Sequence, residues 1–198
     1  GPWVAAFAFL CSKHGGSVNL RIVAGHWRGR RLTTPGQAQG IRPTSDRLRE
    51  ALFSILAGRF EDELFVDLFA GTGAVGLEAA SRGAGRVVLV EKSREAQNIC
   101  RANIKALGAQ SLVELRCASA GSPGALEKAA VVFADPPYAG SPQQSLAALL
   151  GCAVADAGCW CLELSADAAQ PQLPVGVATV LDRVYGGSRL IIYERAAP

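Results

Sequence analysis

The chain has 198 residues, enough for one domain of ordinary size with a small appendage. Hydrophobic residues make up 49% of it, which supplies a substantial core and argues against disorder. The net charge of +3 is unevenly spread: residues 1–60 hold nine Lys/Arg against Asp46 and Glu50, a balance of +7, while residues 61–198 carry −4. A basic amino-terminal third on a mildly acidic body points to a polyanion partner such as nucleic acid.

In chain order, Gly1-Pro2 reads as a protease scar left by recombinant expression. Trp3 to Cys11 is apolar, but too short to span a bilayer and without the basic flank of a secretory signal. The chain contains no methionine, and Leu20 sits where a natural start is sensible. Residues 1–19 are therefore expected to be a non-native, disordered leader. Residues 20–60 are expected to form a basic hairpin and helix facing the polyanion, and residues 61–198 the main domain. Within the arm, Arg21–Ala24 and Arg31–Thr33 are short β-prone pieces punctuated by Gly25, Gly29 and Pro35. A helix is predicted from about Thr44, which can cap it, to Ala57, with Leu48, Leu52, Ile55 and Leu56 as its apolar stripe.

Beyond Glu63 strands and helices alternate. Strands are predicted over 64–69, 86–91, 112–117, 130–134, 158–164, 177–185 and 189–194. Helices are predicted over 74–83, 94–107, a short stretch near 123–129, and 142–152. Runs such as Val87-Val88-Leu89-Val90 suit a parallel sheet buried on both faces. Gly186-Gly187 marks a tight hairpin joining the last two strands. The pattern is α/β: a doubly wound, mostly parallel sheet ending in an antiparallel hairpin. The six cysteines form no CxxC pair, and the two histidines complete no metal site; buried, reduced thiols in a cytoplasmic protein are expected. Cys159 and Cys161 alternate on one strand and share a face.

Two motifs carry chemistry. Gly71-Thr72-Gly73-Ala74-Val75-Gly76 matches GxGxxG between a strand and a helix, where glycines allow a tight turn and let backbone N–H groups approach a ligand. Glu91 ends the next strand, where an acid can accept from ribose hydroxyls. Spacing alone would serve NAD or FAD equally well. Asp67, four residues before the first glycine, and the lack of room for a separate substrate domain tilt the choice towards S-adenosyl-L-methionine.

The second motif is Asp135-Pro136-Pro137-Tyr138, directly after the apolar run Val131-Val132-Phe133. Its prolines remove two backbone donors, so the corner presents acceptors. A carboxylate and the Pro136 carbonyl can take both hydrogens of an exocyclic amine, and Tyr138 offers a face on which a base stacks. In a doubly wound sheet the first and fourth strands are neighbours, which brings Gly71 and Asp135 together across 64 residues of sequence.

These motifs, with Arg21-Ile22-Val23-Ala24-Gly25-His26-Trp27-Arg28-Gly29-Arg30, Arg42-Pro43-Thr44-Ser45-Asp46-Arg47-Leu48-Arg49-Glu50 and Tyr185-Gly186-Gly187-Ser188, resemble the bacterial 16S ribosomal RNA guanine-N2 methyltransferases of the RsmD type. The likeness runs from about Leu20 to the carboxyl terminus. It implies a seven-stranded, Rossmann-like S-adenosyl-L-methionine-dependent fold preceded by a small basic hairpin and helix. The implied activity is methylation of one guanine amine in 16S rRNA of the small ribosomal subunit, by a monomeric, cytoplasmic enzyme with no metal and no membrane contact. Asp135, Pro136 and Tyr138 would be catalytic. Asp67, Phe69, Gly71, Thr72, Gly73, Glu91, Lys92, Ser119 and Asp135 would hold the cofactor. Arg28, Arg30, Arg31, Arg42, Thr44, Arg47 and Tyr138 would meet RNA. One departure is Ser119, standing where such enzymes usually carry an acid against the adenine amine. The rival readings are a DNA or protein amino-methyltransferase using the same corner, and a nonenzymatic RNA-binding protein with a degenerate cofactor fold.

Overall fold

A computed structural model describes residues 20–35, 46–137 and 140–196, so residues 1–19 lie outside it. Helix α1 spans Asp46–Ile55, followed by strand β1 (Leu64–Asp67), α2 (Ala74–Ser81), β2 (Arg86–Val90) and α3 (Arg94–Leu107). Then come β3 (Val113–Arg116), β4 (Ala129–Ala134), α4 (Pro142–Leu150), β5 (Val154–Ser165), β6 (Val177–Tyr185) and β7 (Ser188–Arg195). The seven strands form one sheet in the order β3-β2-β1-β4-β5-β7-β6. Strands β1 to β5 pair in parallel, and β7 pairs antiparallel with both β5 and β6. This is the doubly wound architecture read from the sequence, with its chain reversal between β1 and β4.

Local sequence accounts for the elements. In β2, Val87 to Val90 are all buried because helices cover both faces of the sheet. Helix α3 begins where the Ser93 hydroxyl accepts from the Ala96 amide at 3.5 Å and stops at Gly108, whose φ of 68° is left-handed. One face of the sheet packs against α1, α2, α3 and the arm residues Leu20, Ile22, Trp27 and Leu32. Phe53, Phe60 and Phe65 interlock there with ring centroids 5.7–6.0 Å apart, an aromatic cluster whose burial contributes roughly 1.5–3 kcal/mol per side chain. The opposite face packs against α4 through Leu146 and Leu149.

Three expectations change. No helix forms near 123–129: Gly124 is left-handed at φ 81°, and the Arg116 guanidinium donates to the Pro123 and Ala125 carbonyls at 3.2 and 2.7 Å, satisfying them outside a helix. Strand β5 begins at Val154 rather than near Gly158, because the register shift in β4 lets the strand continue through a glycine. A Cβ at Gly158 would stand 2.8 Å from the Ala129 carbonyl oxygen. The two β-prone pieces of the arm meet in a single antiparallel bridge, Arg21 to Arg31. Among the described residues, Cys100, Cys152, Cys159 and Cys161 are buried free thiols and Cys117 is exposed. Cys159 and Cys161 do share a face, their sulfurs 3.9 Å apart. No described helix is long and apolar enough to cross a membrane, and no described cluster of His, Cys, Asp and Glu could hold a metal.

Candidate active site

The glycine loop opens at the carboxyl end of β1. Gly71 and Gly73 have φ of 55° and 82°, which L side chains rarely adopt. The glycines do different jobs. A Cβ at Gly71 would meet nothing within 4 Å, so the loop gives onto free space there. At Gly73 it would press on the Cys100 sulfur at 3.0 Å, and at Gly76 it would collide with Leu89 Cδ2 at 2.2 Å. Gly73 and Gly76 thus let α2 seat on the sheet, and of the three only Gly71 has open space where a side chain would stand.

Two carboxylates brace this loop. Asp67 is buried and accepts from the Phe69 amide at 3.3 Å, with the Gly76 amide of α2 also favouring its charged form. Burial pushes its pKa up to about 7, with the nearby Glu91 charge adding to the rise and the two amides opposing it. Glu91 is half-buried and accepts from the Gly71 amide at 2.9 Å and the Ser93 amide at 2.7 Å. Phe69 is half-buried, Thr72 is buried, and Lys92 and Ser119 are exposed.

The second motif lies on the adjacent strand. Asp67 pairs in register with Phe133, and the Leu68 amide donates to the Phe133 carbonyl at 2.9 Å, so β1 and β4 end side by side. Just past the end of β4 comes Asp135, half-buried, then Pro136, buried, and Pro137, whose carbonyl accepts from the Gly140 amide at 2.8 Å. Tyr138 lies outside the described residues, as do Arg42 and Thr44.

The arm is docked by buried polar side chains that sequence reasoning missed. The Glu78 carboxylate, fully buried in α2, accepts from the Val23 and Ala24 amides at 2.7 and 2.9 Å and from Arg82 Nε at 2.8 Å. Ser81 Oγ accepts from the Trp27 amide at 2.9 Å and donates to the Ala24 carbonyl at 2.7 Å. Asn103 in α3 accepts from the Thr33 amide at 2.7 Å and donates to the Thr33 and Thr72 carbonyls at 3.0 and 2.9 Å. One buried amide therefore ties the arm to the glycine loop. Arg49, also fully buried, donates to the Arg21 carbonyl at 2.8 Å and pairs with Asp46 at 2.6 Å. Burial pulls its pKa down, with the Asp46 and Glu78 charges opposing the fall. The available signal was a lone polar residue at a core position: Glu78 in Ala74-Val75-Gly76-Leu77-Glu78-Ala79-Ala80, and Asn103 on the Cys100–Ile104–Leu107 face.

Of the arginines assigned to RNA, Arg28, Arg31 and Arg47 are exposed and have no carboxylate within 4.0 Å among the described residues. Arg30 is exposed too, but its guanidinium donates to the Ala106 carbonyl at 2.6 Å. By contrast Arg59, Arg86, Arg116 and Arg189, elsewhere on the surface, are each paired with an acid.

The chain that carries this β1 tip and β4 tip is similar to other proteins over nearly its whole described length. Residues 20–194 match the family model described as Conserved hypothetical protein 95. Ribosomal RNA small subunit methyltransferase D of Escherichia coli (strain K12) is 33% identical over 190 residues, covering 93% of this chain and 94% of that protein. This chain belongs to that RsmD-type methyltransferase family. A solved hypothetical protein of Thermus thermophilus superposes with a TM-score of 0.70 at 36% identity, over 87% of this chain and 97% of that one. An rRNA methylase of Streptococcus thermophilus, 14% identical, shares the fold with a TM-score of 0.60 over 79% of this chain and all of that one.

Proposed function

We propose that this chain transfers a methyl group from S-adenosyl-L-methionine to the exocyclic N2 amine of a guanine in 16S rRNA of the small ribosomal subunit, acting as a cytoplasmic monomer. The observation that carries the reading is the side-by-side ending of β1 and β4, which opens the glycine loop next to Asp135. Family membership supports the methyl donor and the rRNA substrate.

The residues fit the cofactor. Gly71 leaves open space at the loop, and Glu91, with both oxygens near the loop backbone, retains lone pairs for ribose hydroxyls. Phe69, Thr72, Gly73, Lys92 and Ser119 complete the rim, Ser119 offering a hydroxyl at the adenine end. When bound, S-adenosyl-L-methionine supplies an activated methyl on a sulfonium. The protein's own part is positioning. A guanine amine is a weak nucleophile because its lone pair is delocalised into the ring. The Asp135 carboxylate and Pro136 carbonyl accept its two hydrogens, favouring a pyramidal nitrogen, and Asp135 takes the proton the amine sheds. Tyr138 stacks the base, which must leave its helix to arrive, for roughly 1–3 kcal/mol. Arg28, Arg30, Arg31, Arg42, Thr44 and Arg47 hold the RNA backbone around it.

The test uses small-subunit particles from a strain lacking the enzyme, with naked rRNA, duplex DNA and protein as rival acceptors. Particles should accept the methyl group, on guanine N2. Asp135→Ala should abolish transfer while calorimetry shows unchanged cofactor binding; undiminished turnover in that variant defeats the assigned role.

A further inference from the structure

We propose that Glu163 reads the N1–H of the target guanine beside Asp135 and so selects guanine over adenine; the proposal rests on the guanine-N2 reading above. Cys159-Trp160-Cys161-Leu162-Glu163-Leu164 is an apolar strand interrupted by one acid. Strand β5 pairs in parallel with β4, Phe133 level with Cys161 and Ala134 with Leu162. Continuing that register one residue past the end of β4 sets Asp135 level with Glu163, at the strand spacing of about 4.8 Å. Alternation puts Glu163 on the face of Cys159 and Cys161, the face covered by α1 and the arm. On its other side β7 sets Leu190 level with Glu163.

Glu163 is only 3% exposed. A carboxylate is costly to bury, so an acid in this strand calls for a reason that an apolar core residue would not. Glu163 is engaged in the free protein. A carboxylate has about four lone-pair sites, so it can accept from more than one partner at once.

The chemistry of the base supplies the match. On its Watson–Crick edge guanine presents two donors side by side, N1–H and the N2 amine. Adenine presents an acceptor, N1, next to its amine. With Asp135 and the Pro136 carbonyl holding the amine, an adjacent carboxylate accepts from guanine N1–H and repels an adenine lone pair. Sites built to accept from a substrate N–H discriminate strongly against analogues lacking it. Glu163 thus adds a third acceptor, and a second carboxylate, to the corner, on a side chain one methylene longer than that of Asp135.

The test compares particles reconstituted with 16S rRNA carrying guanine or 2-aminopurine at the methylated position. The analogue keeps the N2 amine and lacks N1–H. The wild-type enzyme should prefer guanine in kcat/KM. Glu163→Gln should lower kcat/KM for guanine roughly ten- to hundredfold, the range for losing one charge-assisted hydrogen bond. It should also shrink the guanine preference, since an amide N–H can donate to the analogue's N1. Calorimetric cofactor affinity and thermal midpoint should stay at wild-type values; Glu163→Asp, which keeps the charge, should retain the preference at a reduced rate. A purely structural role would leave the preference unmoved. An active wild-type enzyme whose preference survives Glu163→Gln and Glu163→Asp alike overturns this inference alone. A wild-type enzyme that methylates no guanine on the particle overturns the functional reading with it.

Discussion

The two faces of the sheet are built on different rules. Beneath α4 the core is apolar almost throughout: apart from the Tyr193 ring, Ser145 is the one buried polar side chain on that face among the described residues, and the Trp160 indole settles its N–H on the Cys152 carbonyl at 2.9 Å. Beneath α1, α2, α3 and the arm, by contrast, lie Arg49, Glu78, Ser81, Asn103 and Glu163, all buried. Buried polarity therefore has a specific use in this fold. One face only has to cohere. The other has to hold an arm and two strand tips in a fixed relation, and directional bonds do that where apolar packing alone is tolerant of slippage.

Four measurements put this division to the test. Glu78→Ala should be the most damaging change, because it strands the Val23 and Ala24 amides and the Arg82 guanidinium. A loss of about 3–5 kcal/mol is expected from the urea midpoint, with early release of the arm reported by Trp27 fluorescence. Next comes the pH dependence set by Asp67, whose folded pKa of about 7 exceeds the ordinary 3.8. The unfolded chain gives up this proton first, so stability should fall as pH rises from about 4 to about 7 and then level off. The change is on the order of 4 kcal/mol, and Asp67→Asn should remove it. Asn103→Leu should cost about 2 kcal/mol and weaken cofactor binding measured by calorimetry, because it frees both Thr33 and Thr72. Trp160→Phe, on the plainer face, should cost about 1 kcal/mol and leave cofactor binding alone. If it disturbed cofactor affinity as Asn103→Leu does, the two faces would not be divided as described.

The sheet was legible because its strands are nearly continuous apolar runs, and the site's two motifs because glycine and proline spacing survives in the linear sequence. Strand pairing then followed from the rules of doubly wound folds, and β1 does lie beside β4. The helix expected near 123–129 failed because nothing in that stretch announces that Arg116 will take its carbonyls. The early start of β5 was hidden because Gly158 reads as a turn, while in the fold it admits the close passage of β4. The arm's anchors were hidden for a related reason. Glu78 and Asn103 look like imperfections in apolar helices until residues more than fifty positions away are brought against them.

That separation constrains how the molecule is made. Glu78 grips backbone 54 and 55 positions earlier in the chain, Asn103 grips Thr33 from 70, and Arg30 reaches Ala106 across 76. During synthesis the arm emerges before its anchors: Val23, Ala24 and Trp27 have nothing to fasten to until α2 has cleared the ribosome, and Thr33 and Arg30 nothing until α3 has. Its ordering must therefore be a late event, and folding should be slow for a chain of this size because such long-range closures come at the end.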